Sequence, residues 1–271
     1  MSALPYPAEL AVAQHAAAIA GRLISAAWDR GVDVSFKGEV DLVTETDRAA
    51  EAAIVPLLAQ HFPADAIVAE EGSGRAGGPR AWHVDPLDGT TNFSHGFPHF
   101  AVSIALVDDD GPLVGVVHEP LRRWTFSATR GGGAWLDGRR LSVSDTATLD
   151  RALTATGFPY DRRTARDNNV HRADAVLRSA QGLRRAGAAA LDLAFVAAGW
   201  LDVFWEDRLS TWDLAAGVLL VTEAGGRVTA RDGEPLVLDA GDVLASNGRM
   251  HDAAAACLRA ADARFNAGVT P

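Results

Sequence analysis

The stretch Trp82-His83-Val84-Asp85-Pro86-Leu87-Asp88-Gly89-Thr90-Thr91-Asn92-Phe93 decides how the rest of the chain is read. The apolar run over 81–84 predicts a strand that ends on Asp85; Pro86 then forces a turn, and Asp88 follows. Two carboxylates at that spacing on one turn face a common point, which is costly unless a cation lies between them. Oxygen-only ligation of this type favours a hard divalent ion such as Mg²⁺. Gly89, Thr90 and Thr91 predict the start of a short helix, whose free N–H groups and dipole suit a phosphate. Together these are the ingredients of metal-assisted phosphoryl transfer. Taken alone, Asp-Pro-Leu-Asp-Gly is equally an Asx-Pro turn followed by an Asp-Gly turn. The full run through Phe93 is more specific.

Working outward, three further acidic segments gain meaning from that one. In Asp41-Leu42-Val43-Thr44-Glu45-Thr46-Asp47, a strand end meets a helix cap; Asp47 can both cap the helix and reach a metal cluster. Glu70-Glu71-Gly72 closes an apolar strand, and adjacent acids there ordinarily mean a solvated loop; only the Asp85 segment makes Glu70 a candidate ligand. In Trp212-Asp213-Leu214-Ala215-Ala216-Gly217, Asp213 falls in the first turn of an apolar helix, where an aspartate is commonly a cap. The small residues behind it imply the tight packing of a buried site.

Hydrophobic periodicity predicts helices over 7–29, stopped at Gly31, and over 47–60, capped by Thr46. Strands are expected at 66–69, 81–84, 100–107, 113–118 and 124–129, with hairpin chemistry at Asp108-Asp109-Asp110-Gly111-Pro112 and turns at Gly131-Gly132-Gly133 and Asp137-Gly138. The glycine triplet lacks the spacing of a dinucleotide fingerprint. The second half alternates: strand 153–156, helices 170–179 and 188–198, strand 201–205, helix 212–224 and strand 243–246. Interleaving of this kind predicts a layered α/β or α+β architecture.

With 271 residues, the chain is expected to form a single domain of two lobes, roughly 1–145 and 146–271. A net charge of −10 argues against a broad nucleic-acid or anionic-membrane footprint. The one cysteine, Cys257, reads as a buried structural thiol in a reducing compartment. No targeting signal is evident, and no apolar stretch is seen to approach the roughly 20 residues of a bilayer span. A cytoplasmic location is expected. His95 and His99 flank Phe97-Pro98, but zinc ligation would need a third partner, so they read as loop or edge residues. Most of the 7 tryptophans are expected in core or interface positions.

The segments 41–47, 70–72, 85–93 and 212–217, in this order and spacing, resemble the inositol monophosphatase family across nearly the whole chain. Arg184-Arg185-Ala186-Gly187-Ala188-Ala189-Ala190-Leu191-Asp192 is similar to the substrate-side segment of its bacterial members. The resemblance implies a five-layer α-β-α-β-α sandwich, a homodimer, two to three Mg²⁺ per site and lithium inhibition. By motif position Glu70, Asp85 and the carbonyl of Leu87 would hold a first magnesium, and Asp85, Asp88 and Asp213 a second; a third, weaker ion would sit near Glu70 through waters. Thr90 with Asp47 would orient the attacking water beside Glu70. The backbone of Gly89, Thr90 and Thr91 would hold the phosphate. Ala189 and Glu206 would contact the substrate, with Asp88 and Asp213 also facing it.

The expected reaction is hydrolysis of a small phosphate monoester, foremost an inositol monophosphate or related polyol or sugar phosphate. Relatives acting on fructose 1,6-bisphosphate, 3′-phosphoadenosine 5′-phosphate or histidinol phosphate share the same motifs. The compact loop over 72–80 lacks a long insertion for nucleotide recognition, and Asp192 and Glu206 favour neutral hydroxyls over a second phosphate. A different class also resembles this chain: RNA-processing or transcription-associated binding proteins, for which Arg162, Arg163, Arg166, Arg184 and Arg185 offer contacts. The acidic net charge makes nucleic acid the less favoured partner.

Overall fold

The computed structural model describes residues 4–30 and 45–268; Gly31 and the Asp41-Leu42-Val43-Thr44 part of the first acidic segment lie outside the described residues. The first half runs α1 (Pro7–Arg30), α2 (Glu45–His61), β1 (Ala66–Ala69), β2 (Ala81–Asp88), α3 (Thr90–Ser94), β3 (Ala101–Asp108), β4 (Gly111–Glu119), β5 (Trp124–Thr129), β6 (Gly133–Leu136) and β7 (Arg139–Arg140). The second half adds β8 (Leu153–Thr156), α4 (Val170–Leu177), β9 (Gly182–Arg184), α5 (Ala189–Ala197), β10 (Val203–Glu206), α6 (Thr211–Glu223), β11 (Arg227–Thr229), β12 (Val243–Ser246) and α7 (His251–Asn266).

Strands β1 to β7 form one sheet in sequence order, with β1 parallel to β2 and every later pair antiparallel. The second sheet is ordered β11-β12-β10-β8-β9. Helices α1 and α2 pack on one face of the first sheet, α5 and α6 lie between the sheets, and α4 and α7 cover the far face of the second. Three apolar cores fill the gaps between these five layers. The architecture is the α-β-α-β-α sandwich that the motifs implied. Short hairpin turns hold β3 to β7 together, whereas the residues of β8 to β10 are joined through helices, as parallel pairing requires.

Several sequence expectations shift. Thr46 lies inside α2, whose described range starts at Glu45, so it is not the cap residue expected of it. Pro86 does not end its strand: β2 runs on to Asp88, and the ladder with β3 slips between Asp85 and Asp88. That bulge bends the strand without breaking it, which is how a sheet accommodates a proline and re-aims neighbouring side chains. Cys257 is half-buried at the surface of α7, so the buried thiol is corrected. By length and composition α1 is apolar enough to cross a membrane, against the expectation that no stretch approaches that length. Its apolar face instead packs on α2, β3 and β4, because alanines at 13, 16, 17 and 20 allow close approach. Trp82 and Trp205 are fully buried, while Trp200 is 40% exposed.

Helix α6 crosses the inner face of the first sheet at Gly115 of β4. A Cβ built there would lie 2.9 Å from both the Cα and the carbonyl oxygen of Ala216. Backbone cannot swing aside as a side-chain tip can, so Gly115 sets the closeness of helix and sheet. Gly115→Ala is expected to lower stability by about 1–3 kcal/mol through overpacking, measured by urea denaturation. Stability within error of the parent would refute this account of the contact.

Candidate active site

The parallel register of β1 and β2 pairs Ala69 with Val84, so the next residues, Glu70 and Asp85, emerge side by side. Asp85 also pairs with Ser103 of β3, whose hydroxyl donates to the Trp212 carbonyl at 2.8 Å. That bond, with His83 Nδ1 against the Thr211 hydroxyl at 2.7 Å, docks the start of α6 and brings Asp213 to Asp85. Burial holds the His83 pKa below its ordinary value, so the ring is a neutral partner. Asp88, beyond the bulge, reaches α5 in the other half of the chain: its Oδ2 accepts from the Ala190 N–H at 2.8 Å.

The three aspartates share one construction. Each has a carboxyl oxygen held by a backbone N–H: Asp85 by Leu87 at 2.9 Å, Asp88 by Ala190 at 2.8 Å, and Asp213 by Ser210 at 2.7 Å. An oxygen so anchored fixes the direction of its twin, the usual way a protein orients a metal-binding carboxylate. Burial, joined by the charges of Glu70, Asp88 and Asp213, pushes the Asp85 pKa well up. Asp88 is likewise pushed well up, by burial and then by Asp213. Crowding by surrounding protein raises Glu70 to about 7, with Asp213, Asp47 and Glu71 adding to it, and burial raises Asp213 to about 6. Asp85, flanked by both, shares hydrogen bonds with Glu70 and Asp213.

All the charges named as acting on Glu70, Asp85 and Asp213 are carboxylates, and the donor set is oxygen only. That chemistry fits a hard divalent cation. Among the described residues no group of three His, Cys, Asp or Glu side chains is arranged to hold a metal ion. The carbonyl of Leu87 points the same way, accepting from the Thr90 hydroxyl at 3.0 Å and keeping a second lone pair. Thr90 also lies 3.2 Å from Asp47 Oδ1 in the first turn of α2. Its single proton serves one acceptor at a time.

At Gly89 the chain leaves β2 with φ 93°, and a Cβ there would lie 3.0 Å from the His99 carbonyl. Glycine is therefore demanded by both conformation and space. Among the described residues no protein acceptor outside α3 takes the N–H groups of Gly89, Thr90 or Thr91. The turn is held from below by Phe93, packed edge-to-face on Phe100 at 5.2 Å, and from the side by Asn92, which donates to the carbonyls of His99 and Ala186. His99 is thus buried beside the site while His95 is exposed.

On the substrate side Glu206 ends β10, and a Cβ on Gly157 would overlap its carboxylate at 1.9 Å. Burial, then Asp192, Asp213 and Asp88, push Glu206 well up, with Arg185 opposing. Asp192 is raised to about 8 by burial, again opposed by Arg185. Ala189 is buried at the start of α5. The structure thus brings Glu70, Asp85 and Asp213 into contact, sets Thr90 on Asp47, and joins Asp88 to the start of α5. Sequence reasoning missed Glu51, fully buried on α2, whose carboxylate accepts from the Glu71 and Ser73 N–H groups at 2.7 and 2.9 Å and fixes the loop carrying Glu70. An acid on the apolar face of a helix was the available signal. A cavity of about 1010 Å³ lies elsewhere, between α4 and α7, lined by Arg166, His171, Arg178, Arg264 and Phe265, with Asp174 its one acid.

The model of the Inositol monophosphatase family matches residues 8–263. An inositol-1-monophosphatase of Synechocystis is 46% identical over 245 residues, covering 89% of this chain and 85% of that protein. The Nus factor SuhB of Pseudomonas aeruginosa is 48% identical, covering 88% and 91%. The solved inositol monophosphatase of Anabaena superposes with a TM-score of 0.86 at 40% identity, covering 93% of this chain and 96% of that one. With the family model matching nearly the whole chain, relatives above 40% identity and a matching fold, this chain belongs to the inositol monophosphatase family.

Proposed function

We propose that the protein hydrolyses a small phosphate monoester, an inositol monophosphate or related polyol or sugar phosphate, with Mg²⁺ and water. The observation that carries this reading is the trio of aspartates, each with one oxygen anchored by a backbone N–H and the other left to a shared centre. Glu70, Asp85 and the Leu87 carbonyl would hold one magnesium, Asp85, Asp88 and Asp213 a second, and Glu70 a third through waters. Bound there, the cations would screen the phosphate dianion, acidify the attacking water and stabilise the leaving oxygen.

The remaining work falls to this chain's own groups. The Gly89, Thr90 and Thr91 N–H groups, lacking protein acceptors, receive phosphate oxygens. Thr90, donating to Asp47, turns its oxygen lone pairs outward and orients the water beside Glu70. Glu70, beside that water, is the group placed to receive its proton. Glu206 and the Ala189 backbone receive substrate hydroxyls; with burial pushing Glu206 well up and Asp192 to about 8, both present neutral carboxyls that pair with hydroxyls. Neutral carboxyls offer no countercharge to a second phosphate, which leaves fructose 1,6-bisphosphate and 3′-phosphoadenosine 5′-phosphate the poorer substrates. The same reading takes the chain as homodimeric and inhibited by lithium, as family resemblance implied, and as one two-lobed cytoplasmic domain, as length and composition led us to expect.

A second reading comes from the relative called a Nus factor. Arg163, Arg166, Arg184 and Arg185 are exposed and could meet RNA. The net charge of −10 weighs against it. Binding of RNA that weakens steeply with salt would favour this reading.

Phosphate release from a panel of these esters tests the main reading. Turnover is expected with Mg²⁺, to vanish with chelator, and to fall by at least about a thousandfold in Asp85→Asn, a loss of ~4 kcal/mol of transition-state stabilisation. A folded Asp85→Asn that keeps its activity would refute the assignment.

The carboxylates also predict a pH signature. In metal-free protein Glu70 rises from 4.5 to about 7 and Asp213 from 3.8 to about 6, so the fold binds protons that the unfolded chain has released. This contribution is fully present below about pH 4 and is lost as pH rises through 6–7. The melting temperature without metal should decline across that window, and the rise on adding Mg²⁺ should be larger near pH 8 than near pH 5. Calorimetry showing an equal Mg²⁺ effect at both would contradict this.

A further inference from the structure

Tyr160 stands at the mouth of the candidate site with nothing inside the protein to hold its ring. It is 74% exposed, the most exposed of the large hydrophobic side chains, and it makes no hydrogen bond or ring contact among the described residues. Its backbone, by contrast, is fixed at both ends to the exit of β10. On one side Gly157 lies against the Glu206 carboxylate so closely that no side chain could be added there. On the other, Asp161 pairs with Arg208, which also donates to the Asp167 carbonyl at 3.1 Å. The intervening turn is closed by bonds from Arg162 N–H to the Pro159 carbonyl and from Ala165 N–H to the Asp161 carbonyl. An exposed aromatic on a fixed turn, bracketed by Glu206 and Arg208, is positioned independently of its own ring.

We propose that Tyr160 is the specificity-determining wall of this site, packing its ring face against a cyclic leaving group while Glu206 receives that group's hydroxyls. The inference rests on the phosphatase reading above and goes further by naming the shape of ester preferred. An aromatic face is complementary to the C–H face of a six-membered polyol or sugar ring, and its two side-chain torsions make it cheap to order. An open-chain ester presents no such face. The hydroxyl stands over dense protein and then feels the charges of Asp213, Glu70, Asp88 and Asp85, all of which push its pKa up and keep it neutral.

The test compares myo-inositol 1-phosphate with glycerol 2-phosphate in Mg²⁺, using the full chain and the variants Tyr160→Phe, Tyr160→Leu and Tyr160→Ala. Melting temperatures verify folding, and Tyr160→Leu supports the comparison should Tyr160→Ala be unstable. The cyclic-over-acyclic ratio of kcat/KM is expected to fall about tenfold in the alanine and leucine variants, through KM for the cyclic ester. The phenylalanine variant should keep most of it. Equal losses on both esters, a change confined to kcat, or a phenylalanine variant as poor as alanine would each overturn the assignment. If the parent protein hydrolyses neither ester, the phosphatase reading itself fails, a result separate from failure of the Tyr160 inference.

Discussion

Gathering like charges in a place that water scarcely reaches is the constraint on which this structure depends. Moving even one carboxylate out of water costs several kcal/mol, and bringing a second and third beside it adds repulsion. Asp85 and Asp88 are nearly inaccessible, and Asp213 and Glu70 stand against them. Such a cluster persists because the rest of the fold holds it: the cost is spread over a sheet, two buried helices and a turn.

Each supporting element also serves an ordinary structural purpose. Helix α6 carries an unbroken buried run from Leu214 to Val221. It gains its stability from apolar burial on both sides, and that burial anchors Asp213 against carboxylates that repel it. Helix α5 contributes the Ala190 N–H from its first turn, where unpaired donors and the positive end of the helix dipole favour an anion. The Asp88–Ala190 and Asn92–Ala186 bonds are therefore among the seams joining the two halves of the chain, with Ser103–Trp212 and His83–Thr211. The chemistry and the cohesion of the two lobes share the same few hydrogen bonds.

Away from the centre, polar burial is handled differently. Arg172, 2% exposed, is met by Asp167, Asp207 and Asp262, and Arg231 joins the last two. There, opposite charges meet and the network ties α4, β10 and α7 together. The contrast separates a structural cluster from a reactive one: the first is neutralised by its own side chains, whereas the carboxylates near Asp85 are left for something the chain does not contain.

What the sequence determined by itself was chemistry and local form. The run through Asp85, Asp88 and Gly89, the Glu-Glu pair after a strand and the Trp-Asp before an apolar helix were legible because each couples a residue type to a period or turn. Helix and strand positions followed from the same periodicities, with errors at ends such as Thr46 and at the continued strand through Pro86. Tertiary structure alone decided which carboxylates meet. The pairing of Ala69 with Val84, of Asp85 with Ser103, and of Asp88 with Ala190 joins residues 15 to 102 positions apart. It also decided the service of Glu51 and the exposure of Tyr160, since neither has a local pattern distinguishing it from an ordinary helix acid or loop aromatic. Local propensity acts over a few residues, while register and layer packing are set by the burial of whole faces. For that reason the sequence could name candidate groups, but only the fold could decide which of them meet.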